Sequence, residues 1–452
     1  MFKNGTVLVL PPAPQHLISL LEAAGHAAYA VGGCVRDSLL GQAPEDWDLC
    51  TSAKPQQMLE ALRSQGIKTL ETGLQHGTVT AVIDHRPYEI TTFRLDGDYS
   101  DHRRPDIVIF TGDLTADLSR RDFTINAMAW HPEKGLIDPF HGQNDLQTGL
   151  LRCVGEPERR FGEDALRILR CLRFASALGF AIEENTSRAL FELKETLEHV
   201  AKERVQAELT KLLCGKNARH ILLDYREVIF AVLPQLQPMS GFDQRTPWHC
   251  CDVWEHSCAA VEAIPPKPVL RWAALLHDCG KPPCFFTRDG TGHFHGHAQV
   301  SESMAREMLN TLRCPKKMIS QVTALIRHHE LRLLEAPPKP ASLRRLLGEL
   351  GPETLLGLLE LTRADVLAQA PEKLYRLEGY EPMRASILAL ISEKPCVTKA
   401  QLAVNGRDLM ALGLRGPELG HMLDFLLEEV LEGRLENQRE ALLQCAKSDA
   451  KL

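Results

Sequence analysis

Short β-rich stretches alternate with helical segments in the first third of the chain, and helical periodicity governs the rest. Ala28–Val31, Asp48–Thr51, Thr78–Ile83 and Tyr88–Phe93 are the β-rich runs, which predicts an α+β head with a small mixed or antiparallel sheet. From Gly162 onward apolar residues recur at helical spacing with few strand signals, so everything after the head is expected to be almost wholly α and the chain predominantly helical. Turn-forming clusters interrupt it at Cys214–Asn217, Pro234–Pro247, Pro337–Pro340 and Glu393–Pro395. These breaks suggest a head (1–155), a helical neck (156–235), a helical body (236–385) and a helical tail (386–452).

One helical segment is patterned by charge as well as by hydrophobicity. Over Phe161–Phe174, Leu166, Leu169 and Leu172 recur every third position, and so do Arg167, Arg170 and Arg173. The segment reads as a single amphipathic helix with an apolar stripe beside a cationic one. Glu163 precedes Arg167 by four residues, the favourable order for an ion pair within a helix.

Composition narrows the class without naming it. The 452 residues are 44% hydrophobic and 25% charged, ordinary for a soluble protein of roughly three domains. No apolar run approaches the ~20 residues of a membrane span, and Thr6 to Leu10 is too short for a signal peptide, so no membrane partner and a cytosolic location are expected. Thirteen scattered cysteines without paired Cys-x-x-Cys spacing fit a reducing compartment, most of them as small buried hydrophobes. A net charge of −7 argues against indiscriminate coating of nucleic acid. A local basic track remains, formed by Arg103-Arg104, Arg120-Arg121, Arg159-Arg160 and the Arg167, Arg170, Arg173 series.

The chemistry concentrates near the amino terminus. Gly32-Gly33-Cys34-Val35-Arg36-Asp37 lets backbone approach a triphosphate, and Asp46-Trp47-Asp48 presents two carboxylates to one face of an extended segment, where they can share Mg2+ ions. Glu89, in a strand-like run, could complete the catalytic set from a neighbouring strand. A lone Asp-x-Asp is ordinarily a solvated turn; preceded by this glycine-arginine segment, it resembles the signature of the nucleotidyltransferase superfamily, in the branch of tRNA nucleotidyltransferases and poly(A) polymerases.

Downstream, Arg120-Arg121-Asp122 precedes an apolar run; Arg121 could grip phosphate or sugar oxygens while Asp122 accepts from a ribose hydroxyl. Asp164 beside the planar guanidinium of Arg167 could meet the amino donor and ring acceptor that cytosine and adenine present, refusing guanine and uracil. The order of these motifs over roughly residues 28–235 resembles the class II tRNA nucleotidyltransferases, the CCA-adding enzymes. The resemblance implies Gly33 and Arg36 on the nucleotide, Asp46 and Asp48 on metal, Arg121 on the incoming NTP, Asp164 and Arg167 on the base, and Arg170 and Arg173 completing the nucleotide contact. It further implies a tRNA 3′ end, CTP and ATP as partners, a flexible loop over Asp96–Asp106, a head-to-neck link at Asp138-Pro139-Phe140, and a neck pattern continued by Glu203-Arg204.

A second set lies in the helical body. His256, His277-Asp278, His297, His328-His329 and Asp365 mix imidazoles with carboxylates, a combination suited to a divalent transition metal. The core Leu275-Leu276-His277-Asp278-Cys279-Gly280-Lys281 resembles the HD phosphohydrolase superfamily over about residues 250–370, which implies a second metal on His256, His277, Asp278, His297 and Asp365. If active, it would remove phosphomonoesters or 2′,3′-cyclic phosphates from RNA ends. Nearby His249-Cys250-Cys251 and Cys258 lack zinc-site spacing and are expected to be buried thiols. The reading is therefore Mg2+-dependent, template-independent addition of C, C and A to tRNA. Enzymes adding A alone, C alone or poly(A), and an HD hydrolase with an inactive head, are the alternatives. The oligomeric state is open.

Overall fold

A computed structural model of the chain describes residues 8–97, 108–246, 251–331, 333–334 and 338–449. The expected loop at Asp96–Asp106 lies outside the described residues from 98 onward, as do Arg103, Arg104, His249 and Cys250. The chain forms two compact units, Met1–Pro234 and Gln235–Leu452.

The first unit opens with α1 (Pro12–Ala23), β1 (Ala28–Val31), α2 (Gly33–Leu39), β2 (Leu49–Thr51) and α3 (Pro55–Ser64). Strands β3 (Lys68–Gly73), β4 (Thr78–Ile83) and β5 (Arg86–Thr92) follow, then a small pair, β6 (Arg94–Asp96) with β7 (Val108–Phe110). After α4 (Leu114–Ser119) come β8 (Ala129–His131), β9 (Gly135–Ile137) and α5 (Gly142–Thr148). Seven strands make one mixed sheet in the order β3-β4-β5-β2-β1-β8-β9. Every residue of β1 and β2 is buried, as central strands require. Tyr29, Val31, Cys50, Phe93, Leu118 and Ala129 form a core cluster against them.

The β2–β5 pairing is parallel, with Leu49 opposite Ile90 and Thr51 opposite Thr92; β1 pairs antiparallel with both β2 and β8. This register sets Asp48, just before β2, beside Glu89 in the middle of the longer neighbouring strand β5.

The neck departs from the sequence pattern. β10 (Leu150–Leu151) leads to α6 (Pro157–Glu163) and α7 (Leu166–Leu178), so Phe161–Phe174 is not one helix. The break falls at Asp164, whose backbone is extended (φ −140°, ψ 102°). Its carboxylate accepts the Leu166 N–H at 3.1 Å and so satisfies an orphan donor of the new helix, the usual reason an Asp stops one helix and starts another. β11 (Ala181–Ile182), α8 (Glu184–Leu193), α9 (Lys202–Leu213), α10 (Ala218–Asp224) and α11 (Arg226–Val232) complete the unit.

The second unit is helical, with α12 (Val253–Ala263), α13 (Pro268–Leu276) and α14 (Lys281–Cys284) around buried Trp254 and Trp272. A hairpin that the helical pattern did not announce, β12 (Phe286–Arg288) and β13 (Thr291–His293), precedes α15 (His297–Thr311) and α16 (Lys316–His328). Helix α17 (Pro340–Leu367) kinks at Gly351-Pro352, where Gly351 takes φ +73°. After α18 (Tyr380–Glu393), α19 (Gly406–Met410), α20 (Pro417–Leu431) and α21 (Arg439–Asp449) gather around Leu409, Leu426 and Leu442. No helix among the described residues is long and apolar enough to cross a membrane.

Candidate functional site

The end of β1 is built for close approach. Gly32 adopts φ +81°, a conformation other residues reach only with strain, and a Cβ there would lie 3.1 Å from the Arg121 guanidinium. The Gly32 N–H donates to the Met128 carbonyl, and the Val31 N–H donates to the Asp48 carbonyl, which fixes the acid's backbone beside the glycines. At Gly33 a Cβ would meet only the Arg36 guanidinium, 3.7 Å away.

Asp46, Asp48 and Glu89 share one electrostatic field. The Asp48 carboxyl is pushed up to about 6, first by desolvation, then by the charges of Asp46 and Glu89, with Arg121 pulling the other way. All three side chains also reach solvent. An acid raised this way holds its proton in the folded chain where the unfolded chain has lost it, so stability declines as pH rises from 3.8 to about 6. A cation among the acids offsets that repulsion only once the proton has left. Stabilisation of the melting temperature by added Mg2+ is therefore expected to be large above about pH 7 and to vanish below about pH 5, and to lose this pH dependence in Asp48→Asn. A Mg2+ effect independent of pH would contradict the shared field.

Opposite the acids stand arginines held by buried partners. Arg36 donates to Asn126 Oδ1 at 2.6 Å and to Asp37 at 2.8 Å, with its guanidinium 5.0 Å from the Phe174 ring centroid. Arg120 and Arg121 both bind Asp117, at 2.8 and 3.3 Å. Burial alone would raise the Asp117 carboxyl, yet the two arginines hold it below the usual carboxylate range. The Arg121 Nε is buried with no hydrogen-bond partner among the described residues. Sequence reasoning missed Asp117 and Asn126; the i,i+3 and i,i+4 spacing of Asp117 to the arginine pair was the available signal.

Asp122 is buried and bonded within the chain. Arg170 grips Asp122 Oδ2 at 2.6 Å, and Asn126 and the Phe123 N–H donate to Oδ1. Burial opposes its charge, but Arg170 and Asn126 prevail and bring it down to about 2. Arg173 pairs with buried Glu208 at 2.7 Å.

The turn between α6 and α7 is latched by charge. Glu163 accepts from Arg159, Arg160 and Arg167 at 3.2, 2.5 and 2.7 Å. Arg160 and Arg167 also donate to the Ser119 and Arg120 carbonyls at 3.3 and 3.0 Å, tying the turn to the Arg120–Asp122 segment. Asp164 holds Arg204 at 3.0 Å. The structure thus joins Glu163 to Arg167 and Asp164 to Arg204, and does not pair Asp164 with Arg167 directly. The buried thiol beside this site, Cys34, is pushed up to about 12 by desolvation and packs as a hydrophobe.

In the second unit the dispersed histidines converge. His256, His277, His297 and His329 are buried around Asp278, whose Oδ2 lies 3.4 and 3.2 Å from His256 and His277 and whose Oδ1 lies 3.2 and 3.5 Å from His297 and His329. Asp365 joins at 3.0 Å from His256, and Lys281 reaches Asp278 at 2.7 Å. His329 belongs to the cluster, whereas its neighbour His328 turns to Glu349. Each Nδ1 contacts a backbone carbonyl, of Ala368, Ala274, Phe294 and Ile326 in turn. A carbonyl only accepts, so all four imidazoles donate from Nδ1 and turn Nε2 inward, the edge a metal ligand presents. Two sets with ligand atoms within 4.8 Å result, His256/His277/Asp278 and Asp278/His297/His329.

A mixed sheet with Asp46 and Asp48 ahead of one strand, Glu89 on its neighbour and Arg121 anchored on buried Asp117 within their field is the arrangement of a nucleotidyltransferase. Residues 28–152 match the family described as the poly A polymerase head domain, and residues 293–446 match tRNA nucleotidyltransferase domain 2. The CCA-adding enzyme of Geobacillus thermodenitrificans is 35% identical, covering 96% of each chain. The crystal structure of the Bacillus stearothermophilus CCA-adding enzyme in complex with CTP is 31% identical, with a TM-score of 0.73 over 98% of each chain. The Thermotoga maritima CCA-adding enzyme complexed with tRNA shares the fold at 21% identity and a TM-score of 0.55. The chain belongs to the class II CCA-adding enzymes. Nucleotidyltransferases of this kind generally use divalent metal ions, and the acid cluster at Asp48 fits one.

Proposed function

We infer that the chain adds C, C and A to the 3′ end of tRNA from CTP and ATP, with no nucleic-acid template, in the cytosol. The observation that carries this is the placement of Asp46, Asp48 and Glu89 opposite arginines latched to the turn that bears Asp164. Mg2+ on Asp46 and Asp48 would supply charge neutralisation and activation of the hydroxyl. The tRNA O3′ attacks the α-phosphorus as the bond to the bridging oxygen breaks and pyrophosphate leaves. Gly33, Arg36 and Arg121 meet the triphosphate, with Arg170 and Arg173 extending the cationic wall; Asp122 sets the position of Arg170. Asp164 and Arg167 read the base once Asp164 turns from Arg204 and Arg167 from Glu163. The head (1–155) thus does the chemistry and the neck (156–235) selects the nucleotide, while body (236–385) and tail (386–452) extend the RNA contact.

The test offers purified protein, Mg2+ and a tRNA lacking its terminus with each labelled NTP in turn. Stepwise C, C, then A is expected, with affinity for tRNA falling as salt rises. C alone, A alone or a poly(A) tail would instead assign one of the partial or polymerising activities.

A second activity is favoured by the inward-facing imidazoles of the second unit. Four Nε2 atoms and Asp278, 3.1 and 3.3 Å apart in the two histidine pairs, face one another as ligands do around a divalent transition metal. His256, His277, Asp278, His297, His329 and Asp365 would hold it for hydrolysis of phosphate esters in an HD-type domain.

A further inference from the structure

We propose that the β12–β13 hairpin is a stacking platform for a nucleobase, so that the cavity over the His/Asp cluster takes a base-bearing phosphate, a nucleotide unit. The proposal rests on the phosphohydrolase reading for the phosphate end and adds a separate recognition element for the base.

The hairpin has two aromatic faces, as the alternation of a strand pair dictates. Its register sets Phe286 opposite His293, and His295 follows two residues on along the same face. The Asp289-Gly290 corner takes φ +51° and +78°, the left-handed turn that matches strand twist. Phe285 and Phe294, on the other face, pack on Phe242 at 5.2 and 6.4 Å between ring centroids. Gly292 seals the attachment: its N–H donates to the Arg245 carbonyl at 2.9 Å, and a Cβ there would sit 2.1 Å from the Gln244 carbonyl oxygen. One face is therefore anchored, and the second is presented outward.

The outward rings form a layer. Centroid separations are 5.4 Å for Phe286–His293, 5.4 Å for Phe286–His295 and 5.7 Å for His293–His295. A column of three rings would make one separation about twice the others; these near-equal distances make a triangle. Two of the three interplanar angles are 25° and 22°, so the rings tile a surface. Phe286 is 42% exposed, so part of its ring is open at the surface.

Two of the three outward rings, His293 and His295, open onto the cavity of about 540 Å³ that also holds the cluster, the size of a small-molecule site, and Phe286 supports both at 5.4 Å without lining it. His293 and His295 line it at the hairpin; Asp278 and Asp365 line it at the cluster, and Lys373 and Arg376 add positive charge suited to phosphate. A base on aromatic rings beside a phosphate on cations is the arrangement that single nucleotide units favour, since every base offers a π-face.

The test measures dissociation constants of AMP and of ribose 5-phosphate for the full Mn2+-loaded chain, with phosphate release followed in parallel. Phe286→Ala is expected to weaken AMP about tenfold and leave ribose 5-phosphate unchanged, and Phe286→Trp to restore AMP binding. An unchanged melting temperature in Phe286→Ala controls for folding. An AMP constant unaltered by Phe286→Ala, or an equal loss for both ligands, would overturn the platform. Wild-type protein that binds AMP as expected yet releases no phosphate overturns hydrolysis alone. An oligoribonucleotide with a 3′-phosphate forms the second arm: a loss in Phe286→Ala larger than that for AMP assigns the platform to RNA ends over free nucleotides.

Discussion

Asp46→Ala is expected to lower C and A incorporation by at least ~10³-fold while tRNA affinity stays within about twofold, because the cation proposed at the acid cluster would supply several kcal/mol of transition-state stabilisation. Asp46 is exposed and raises Asp48 through space, so its removal relieves repulsion and does not threaten the core. Single-turnover incorporation on a tRNA lacking its terminus, paired with filter binding, reads both quantities. Residual activity within tenfold of wild type would remove the metal assignment.

The second large effect concerns base choice. Asp164 has two jobs in the structure, starting α7 through the Leu166 N–H and holding Arg204, and alanine removes both along with its carboxylate. Asparagine keeps an acceptor for the helix start, where Asn and Asp are comparable caps, but replaces the anion with an amide able to donate as well as accept. Asp164→Ala is expected to reduce discrimination against UTP and GTP by about 10²-fold, more than it lowers total incorporation. Asp164→Asn should admit UTP with near-wild-type stability. Competition assays with mixed NTPs measure the ratio; selectivity unchanged in both variants would take the template role from this turn.

How much of this was legible in the sequence varies with how far each feature reaches along the chain. Ala28–Val31 and Thr78–Ile83 form strands over the expected bounds, because strand patterning is local. Phe161–Phe174 is misread as one helix since its leucine and arginine periodicity survives the break, which a single side-chain cap at Asp164 imposes. The β12–β13 hairpin was announced only by Asp289-Gly290, since strands of three residues carry too little alternation to register.

By itself the sequence determined the chemistry available: glycines before an arginine, a spaced pair of acids, an Arg-Arg-Asp, a Glu-Asp pair and a scatter of histidines. Only the tertiary structure decided which of them meet. The parallel β2–β5 register brings Glu89 to Asp48, Asp122 claims Arg170 from 48 residues away, and His329, not His328, joins the second cluster. The physical reason is that composition and period act over a few residues, whereas the position of a carboxylate or an imidazole is set by strand pairing and by backbone carbonyls that lie up to 112 residues away.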